Sequence, residues 1–151
     1  MRISAKADYA VRAALELAAA TDLPVKGERI AAAQGIPPKF LESIMVDLRQ
    51  AGLVASQRGP EGGYRLDLPP ERISIADVIR AVDGPLAVVH GDRPDAMSYH
   101  GVAAGLEEVW VALRANVREV LEEVSLADVV EGSLPPVVRE LAAKPDAWTR
   151  H

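Results

Sequence analysis

Apolar residues recur at intervals of three and four along most of this chain, which is the period of helices with one buried face. Between residues 38 and 52, Phe40, Leu41, Ile44, Met45 and Leu48 make such a face. Pro38 suits a first turn, where its missing N–H would have no partner anyway, and Gly52 suits a stop. The pattern then changes. Residues 53–58 and 64–68 predict two short strands around Gly59-Pro60-Glu61-Gly62-Gly63, a glycine-rich turn. Upstream, Ser4 can cap a helix over 5–20, with Tyr9, Ala13 and Leu17 on one face and Ala10 and Ala14 beside them. A short helix over 27–34 would turn Ile30 and Ala33 inward and stop at Gly35. Gly35-Ile36-Pro37 then joins it tightly to the helix at 38, a helix-turn-helix pattern.

Downstream, Pro69-Pro70 break the chain. Ser74 and Asp77 form a capping-box variant that opens a helix to about residue 82, burying Ile75, Val78, Ile79 and Val82. Gly84-Pro85 stop it, and residues 86–101 carry no regular pattern. Residues 102–124 then predict one long helix with a seam of Val102, Leu106, Val109, Trp110, Leu113, Val117, Val120, Leu121 and Val124. A helix of ~23 residues spans ~35 Å. That is more apolar length than a small neighbouring domain can cover, so the seam predicts pairing with a second copy. Ser125 and Asp128 repeat the capping pattern before a short helix to 131. A weak helical set occupies 137–143, and 144–151 is expected to fray.

The expected fold is mostly α with a small β-hairpin wing. Residues 1–85 form a winged helix-turn-helix domain and 86–101 a regulatory loop. Residues 102–131 hold the dimerisation helix and the short helix after it, and 132–151 a tail.

Composition refines this picture. Hydrophobic residues make up 49% and aromatics 4%, so the core must be built from Ala, Val, Leu and Ile. No apolar run approaches the length of a membrane span. The first residues show no signal-peptide pattern, and cysteine is absent, so a cytoplasmic protein without disulfides is expected. The net charge of −5 argues against nucleic acid until its distribution is considered. Residues 1–83 hold eleven Lys plus Arg against eleven Asp plus Glu, whereas 84–151 hold six against eleven. A neutral first half with arginines at one hairpin can still attract phosphates locally, with the acidic half directed away.

A helix leading into a hairpin is how a winged helix meets DNA, the helix in the major groove and the hairpin tip along the backbone or minor groove. The polar face of helix 38–50 carries Lys39, Glu42, Ser43, Asp47, Arg49 and Gln50, and Arg58 and Arg65 flank the glycine turn. Solvated charges on any amphipathic helix would look the same as the helix alone. The arginine-flanked hairpin favours double-stranded DNA as the partner, with Lys39, Glu42, Ser43, Arg49, Arg58 and Arg65 as its contacts. No enzyme is expected: there is no cysteine nucleophile or paired catalytic motif. The glycine segment leads into a strand rather than a helix, which is not a phosphate loop. The competing reading is a dimeric interaction module that has lost DNA binding. Retention of Lys39, Arg58 and Arg65 counts against it.

The run FLESIMVDLRQAGLVASQRGPEGGYRL resembles the recognition helix and wing of the Rrf-two (IscR/NsrR-type) winged-helix transcription regulators. MRISAKADYAVRAALELA resembles the family's first helix, and ISIADVIRAVDGPL the helix after its wing. The likeness covers about 1–86 and extends through the long helix to about 131. It implies a homodimeric regulator, in the sense of a repressor, on a pseudo-palindromic operator. It also implies that Lys39, Glu42 and Ser43 face base edges, with Glu42 suited to accept from a cytosine amino group. Arg58 matches a position that reaches the minor groove or its phosphates, and Tyr64 one that packs the wing.

Many members of that family hold an iron–sulfur cluster on three cysteines in the loop equivalent to 88–100. This chain has none, and thiolates are the usual cluster ligands, so no cofactor is expected. Asp8 lies where some members place a first-helix ligand, and His90 and His100 fall near the first and last cysteine positions. With Asp92 and Asp95 between them, these are the weak candidates for a metal-responsive alternative. A spacing of ten between histidines is not a metal signature, and no metal is expected. Trp110 reads as core. The alternative is a pocket between the dimer helix and the winged domain, lined by Tyr9, Met97, Tyr99 and Trp110, that takes an unidentified effector. A signal would then enter at 86–101 and the facing first helix, and change the angle between the two winged domains.

Overall fold

The computed structural model describes residues 1–150; His151, the end of the tail expected to fray, lies outside the described residues. Ser4 is extended, and its Oγ accepts the Ala7 N–H at 2.9 Å, which starts helix α1, Ala5–Ala19. Alanines 7, 10, 13 and 14 and Leu17 form its buried stripe, and their small side chains let other helices approach closely. Helix α2, Gly27–Gln34, ends at Gly35, whose left-handed φ of 62° lets its N–H reach the Ala31 carbonyl. Helix α3, Pro38–Gln50, buries Leu41, Ile44, Met45 and Leu48. Strands β1, Val54–Gln57, and β2, Gly63–Leu66, pair antiparallel from Val54↔Leu66 to Gln57↔Gly63. Helix α4, Ile75–Asp83, opens with the expected box: the Asp77 N–H donates to Ser74 Oγ at 3.0 Å, and the Ser74 N–H to Asp77 Oδ2 at 2.9 Å. Helices α5 (Leu106–Glu123), α6 (Leu126–Glu131) and α7 (Pro136–Ala142) complete the chain. The outcome is mostly helix with one hairpin, as expected for a winged helix-turn-helix domain followed by a long helix.

Two long-range pairings have no counterpart in the local pattern. Val25, between helices α1 and α2, exchanges both backbone hydrogen bonds with Tyr64 (2.8 and 2.7 Å) and fastens the wing to the domain. Ser74 and Ser125 form a second antiparallel bridge, through Ile75 N–H to Val124 O and Leu126 N–H to Ile73 O, each 2.9 Å. Two equivalent capping boxes thus start two helices back to back. Leu126 follows at once and is fully buried in the main core with Ile73, Val78 and the α1 and α3 stripes. Helix α6 therefore packs with the winged domain, although it follows the long helix in the chain.

Smaller differences have local causes. The long helix begins at Leu106 rather than 102 because Gly101 adopts φ +60° and 101–103 form a separate 3-10 turn. Val102 is accordingly fully exposed. In α2, Ala31 is buried and Ala33 is exposed, so the inward face is rotated from the one expected. Ile75 and Val82 are half-buried, and Ala76 takes the core position between them. In the tail, the Trp148 indole N–H donates to the Ala142 carbonyl at 2.6 Å, holding 143–148 against the end of α7.

No residue of α5 is buried within the single chain. Val117 and Leu121 lean on Ala7, Ile79 and Leu86 of the winged domain. Leu106, Val109 and Leu113, on the same stripe, remain 38%, 53% and 40% exposed. Arg80 of α4 and Arg118 of α5 both hold Glu122. Their hydrogen bonds, Arg118's first, keep its carboxyl below the ordinary glutamate range.

Candidate nucleic-acid interface

Helix α3 buries one side, so its opposite side must face outward. Lys39, Glu42, Ser43, Val46, Arg49 and Gln50 are all exposed there. The hairpin continues this surface. Its pleat turns Tyr64 and Leu66 inward and Arg65 outward, opposite Ala55. Ala55 in turn lines an open groove of about 450 Å³ between α3 and β1, with Val46, Arg49, Gln50, Val54 and Ser56. Arg58 stands at the hairpin tip, beside Gly59. All six residues expected from the sequence are exposed: Lys39, Glu42, Ser43 and Arg49 on the outer side of α3, Arg65 on the outer side of the hairpin and Arg58 at its tip.

Its electrostatics suit a polyanion. Among the described residues, Lys39, Arg49, Arg58 and Arg65 have no carboxylate within ion-pair distance. The nearby carboxylate of Asp47 is occupied by Lys6 Nζ of α1 at 2.6 Å. Glu42 remains the free acid on the helix. A net negative chain thus presents a local excess of uncompensated cations.

Two glycines let the wing close and dock. At Gly62 a Cβ would lie 2.3 Å from the Gln57 carbonyl oxygen, inside the turn. At Gly63, with φ +155°, it would lie 2.4 Å from the Val25 carbonyl oxygen, inside the bridge that holds the wing. Tyr64 packs the wing onto the domain, as expected, with its ring edge against Gly27.

Helix α1 braces the helix-turn-helix. The Arg12 guanidinium lies 4.7 Å over the Tyr9 ring, pairs with Asp8 at 3.0 Å, and donates from Nη1 to the Gln34 carbonyl at 2.8 Å. Tyr9 meets Phe40 edge-on, with centroids 5.5 Å apart. Tyr9 is thus spent on the α1–α3 contact and Asp8 on an arginine. Neither residue type nor spacing marked Arg12 or Lys6 for these tasks; both pairings depend on how the helices cross.

The loop before α5 encloses an open cavity of about 560 Å³, with Met1, Val88, His90, Pro94, Trp110 and Leu113 in its wall. Trp110 is half-buried there. Tyr9, Met97 and Tyr99 do not line it, because Tyr9 faces α3 and residues 97 and 99 lie beyond the turn at Pro94–Ala96. Ala87 and His90 both hold left-handed backbone, with φ of 48° and 51°. Arg93 donates twice to Asp95 (3.0 and 2.7 Å), which lowers that carboxyl's pKa. His90 and His100 are exposed. No group of three or more His, Cys, Asp or Glu side chains positioned for a metal occurs among the described residues. With no thiolate in the chain and Asp8 paired to Arg12, the residues present do not fit an iron–sulfur cluster.

Comparison with known proteins gives concordant results. The family model for Rrf2, described as an iron-dependent transcriptional regulator, matches residues 3–132. A Mycobacterium tuberculosis protein named as an HTH-type transcriptional regulator is 54% identical over 143 residues, covering 94% of this chain and 89% of its own length. CymR of Bacillus subtilis, described as the global cysteine regulator of that organism, superposes with a TM-score of 0.71 at 31% identity over 88% of this chain and 98% of its own. The structure of T. potens IscR gives a TM-score of 0.71 at 31% identity, over 88% of each chain.

Proposed function

The chain belongs to the Rrf2 family of helix-turn-helix transcriptional regulators, and from that premise we propose a homodimeric repressor that binds a pseudo-palindromic operator in the cytoplasm. Its role as a DNA-binding transcription regulator follows from the family; the assembly, the operator symmetry, the sign of regulation and the contacting residues are our reading. The observation that carries it is that Lys39 and Arg49 on the outer side of α3, and Arg58 and Arg65 on the hairpin that follows, stand exposed without acidic partners. Helix α3 enters the major groove by its outer side. Lys39, Glu42 and Ser43 meet base edges there: Lys39 a guanine, Glu42 a cytosine amino group. Arg49 and Arg65 take phosphates on either side, and Arg58 carries the wing tip to the phosphates that border the minor groove.

The partner is a second copy. The stripe of Leu106, Val109 and Leu113 is too exposed for a helix that packs only on its own domain. Pairing α5 with its twin covers it and sets two α3 helices on one side of the dimer. A twofold axis then asks for two half-sites about one helical turn, ~34 Å, apart. We further propose that the protein works without an iron–sulfur cluster and without a catalytic step. An effector of unidentified structure would enter beside Trp110 and His90, where the loop meets α5.

Sedimentation equilibrium of wild type and Leu113→Glu, with operator titrations of both, tests the assembly. A wild-type dimer, a monomeric variant and at least tenfold weaker operator binding by the variant are expected. A wild-type monomer that binds operator at full affinity would overturn the dimer and the palindrome together.

A further inference from the structure

We propose that Val46 is a sequence-reading residue that contacts the 5-methyl group of a thymine in each half-site. The inference rests on the DNA-binding face described above and extends its specificity.

Val46 is 47% exposed, although it lies mid-helix in an element that buries four large side chains. Its place on the helix explains why. Lys39, Ser43, Val46 and Gln50 step by four, three and four, and so form one line along the side opposite Leu41, Ile44, Met45 and Leu48. The valine is the apolar centre of an otherwise polar line. It also opens onto the groove shared with Arg49, Gln50, Ala55 and Ser56. When the helix enters the major groove, this line is what the base edges meet. An isopropyl group has no donor or acceptor. Set against a purine edge or a cytosine amino group, it would strip water from those groups and return no hydrogen bond. Thymine alone offers an apolar group in the major groove, and apolar side chains are its natural contact. A lone exposed valine elsewhere on a surface would need no explanation. This one has Glu42, Ser43, Arg49 and Gln50 one turn away on the helix, among the residues that face the duplex, and the unpaired Arg49 beside it draws a phosphate of the same duplex towards it.

The test begins with a duplex selected by the purified protein from a random pool. Each thymine of the protected half-sites is then replaced in turn by deoxyuridine, which removes only the methyl group. One position per half-site should lose roughly fourfold in affinity for wild type, the worth of one buried methyl. The same replacement should cost clearly less for Val46→Ala, which keeps only one methyl carbon at that place, and whose fold is checked by circular dichroism and its melting temperature. A protected half-site without thymine, deoxyuridine replacements that are all silent, or a loss that persists undiminished in Val46→Ala would each overturn the proposal while leaving operator binding intact. Failure to select any sequence from the pool would instead sink the DNA-binding reading on which it rests.

Discussion

Arg65→Ala isolates one phosphate contact at little structural cost. Arg65 is exposed, has no ion-pair partner among the described residues, and sits opposite the small Ala55 on the outer face of the hairpin. Its truncation should change stability by no more than ~0.5 kcal/mol. Its effect should appear in the salt dependence of binding. With Arg49, Arg58 and Arg65 each neutralising a phosphate, a dimer makes roughly six such contacts, and log K should fall against log salt with a slope of about −5. From 50 to 200 mM salt that costs wild type roughly a thousandfold in affinity. Arg65→Ala removes two contacts per dimer, which brings the slope to about −3.6 and the loss to roughly a hundredfold. The weakening should be much the same on operator and non-specific duplex, because phosphates carry no sequence. Fluorescence anisotropy titrations at four salt concentrations measure it. Parallel lines for variant and wild type would show that Arg65 touches no phosphate, and the outer face of the hairpin would then be turned away from DNA.

Other perturbations test the scaffold. Leu126→Ala should cost ~2–5 kcal/mol in urea unfolding, because the side chain is fully buried in the winged-domain core; a cost below ~1 kcal/mol would place α6 outside that core. Gly63→Ala drives a methyl against the Val25 carbonyl and should cost ~1–3 kcal/mol; an unshifted midpoint with full operator affinity would mean the wing does not need that bridge. Glu122→Gln should weaken the α4–α5 link only at pH values above the ordinary glutamate range. The folded carboxyl titrates below its unfolded value, so its contribution is present at neutral pH and lost as pH falls through the lowered pKa. Melting curves of the two proteins should differ at pH 7 and converge in acid; a constant gap would contradict the assignment.

Much of the candidate site was legible because it follows from one helix and one hairpin. The period of α3 assigned its buried side, which left Lys39, Glu42, Ser43 and Arg49 outside, and alternation along β2 put Arg65 out and Tyr64 in. The position of Val46 is legible in the same way, three residues beyond Ser43, but its side chain has no charge or hydrogen-bonding group to mark it as a contact. The pocket residues fared differently. Tyr9, Met97, Tyr99 and Trp110 are expected together as a pocket between the long helix and the winged domain, yet no period or local hydrogen bond links the first helix to that loop. The structure instead spends Tyr9 on Phe40 and leaves Trp110 beside His90.

By itself the sequence determined what a few neighbouring residues decide: where helices begin at Ser4, Ser74 and Ser125, where one ends at Gly35, which sides they bury, and that a wing follows the recognition helix. These follow from hydrogen bonds and sterics within a turn or two of chain. Only the tertiary structure decided that Val25 anchors the wing, that the two capping boxes pair, and that Leu126 returns across the long helix to fill the first domain's core. It alone also decided that Lys6 quiets Asp47 and that Arg12 joins α1 to α2. Each of these contacts joins residues far apart in the chain, with no period to announce them. They arise because distant helices must cross at angles that bury one shared apolar surface, and those angles select which charges and backbone groups meet.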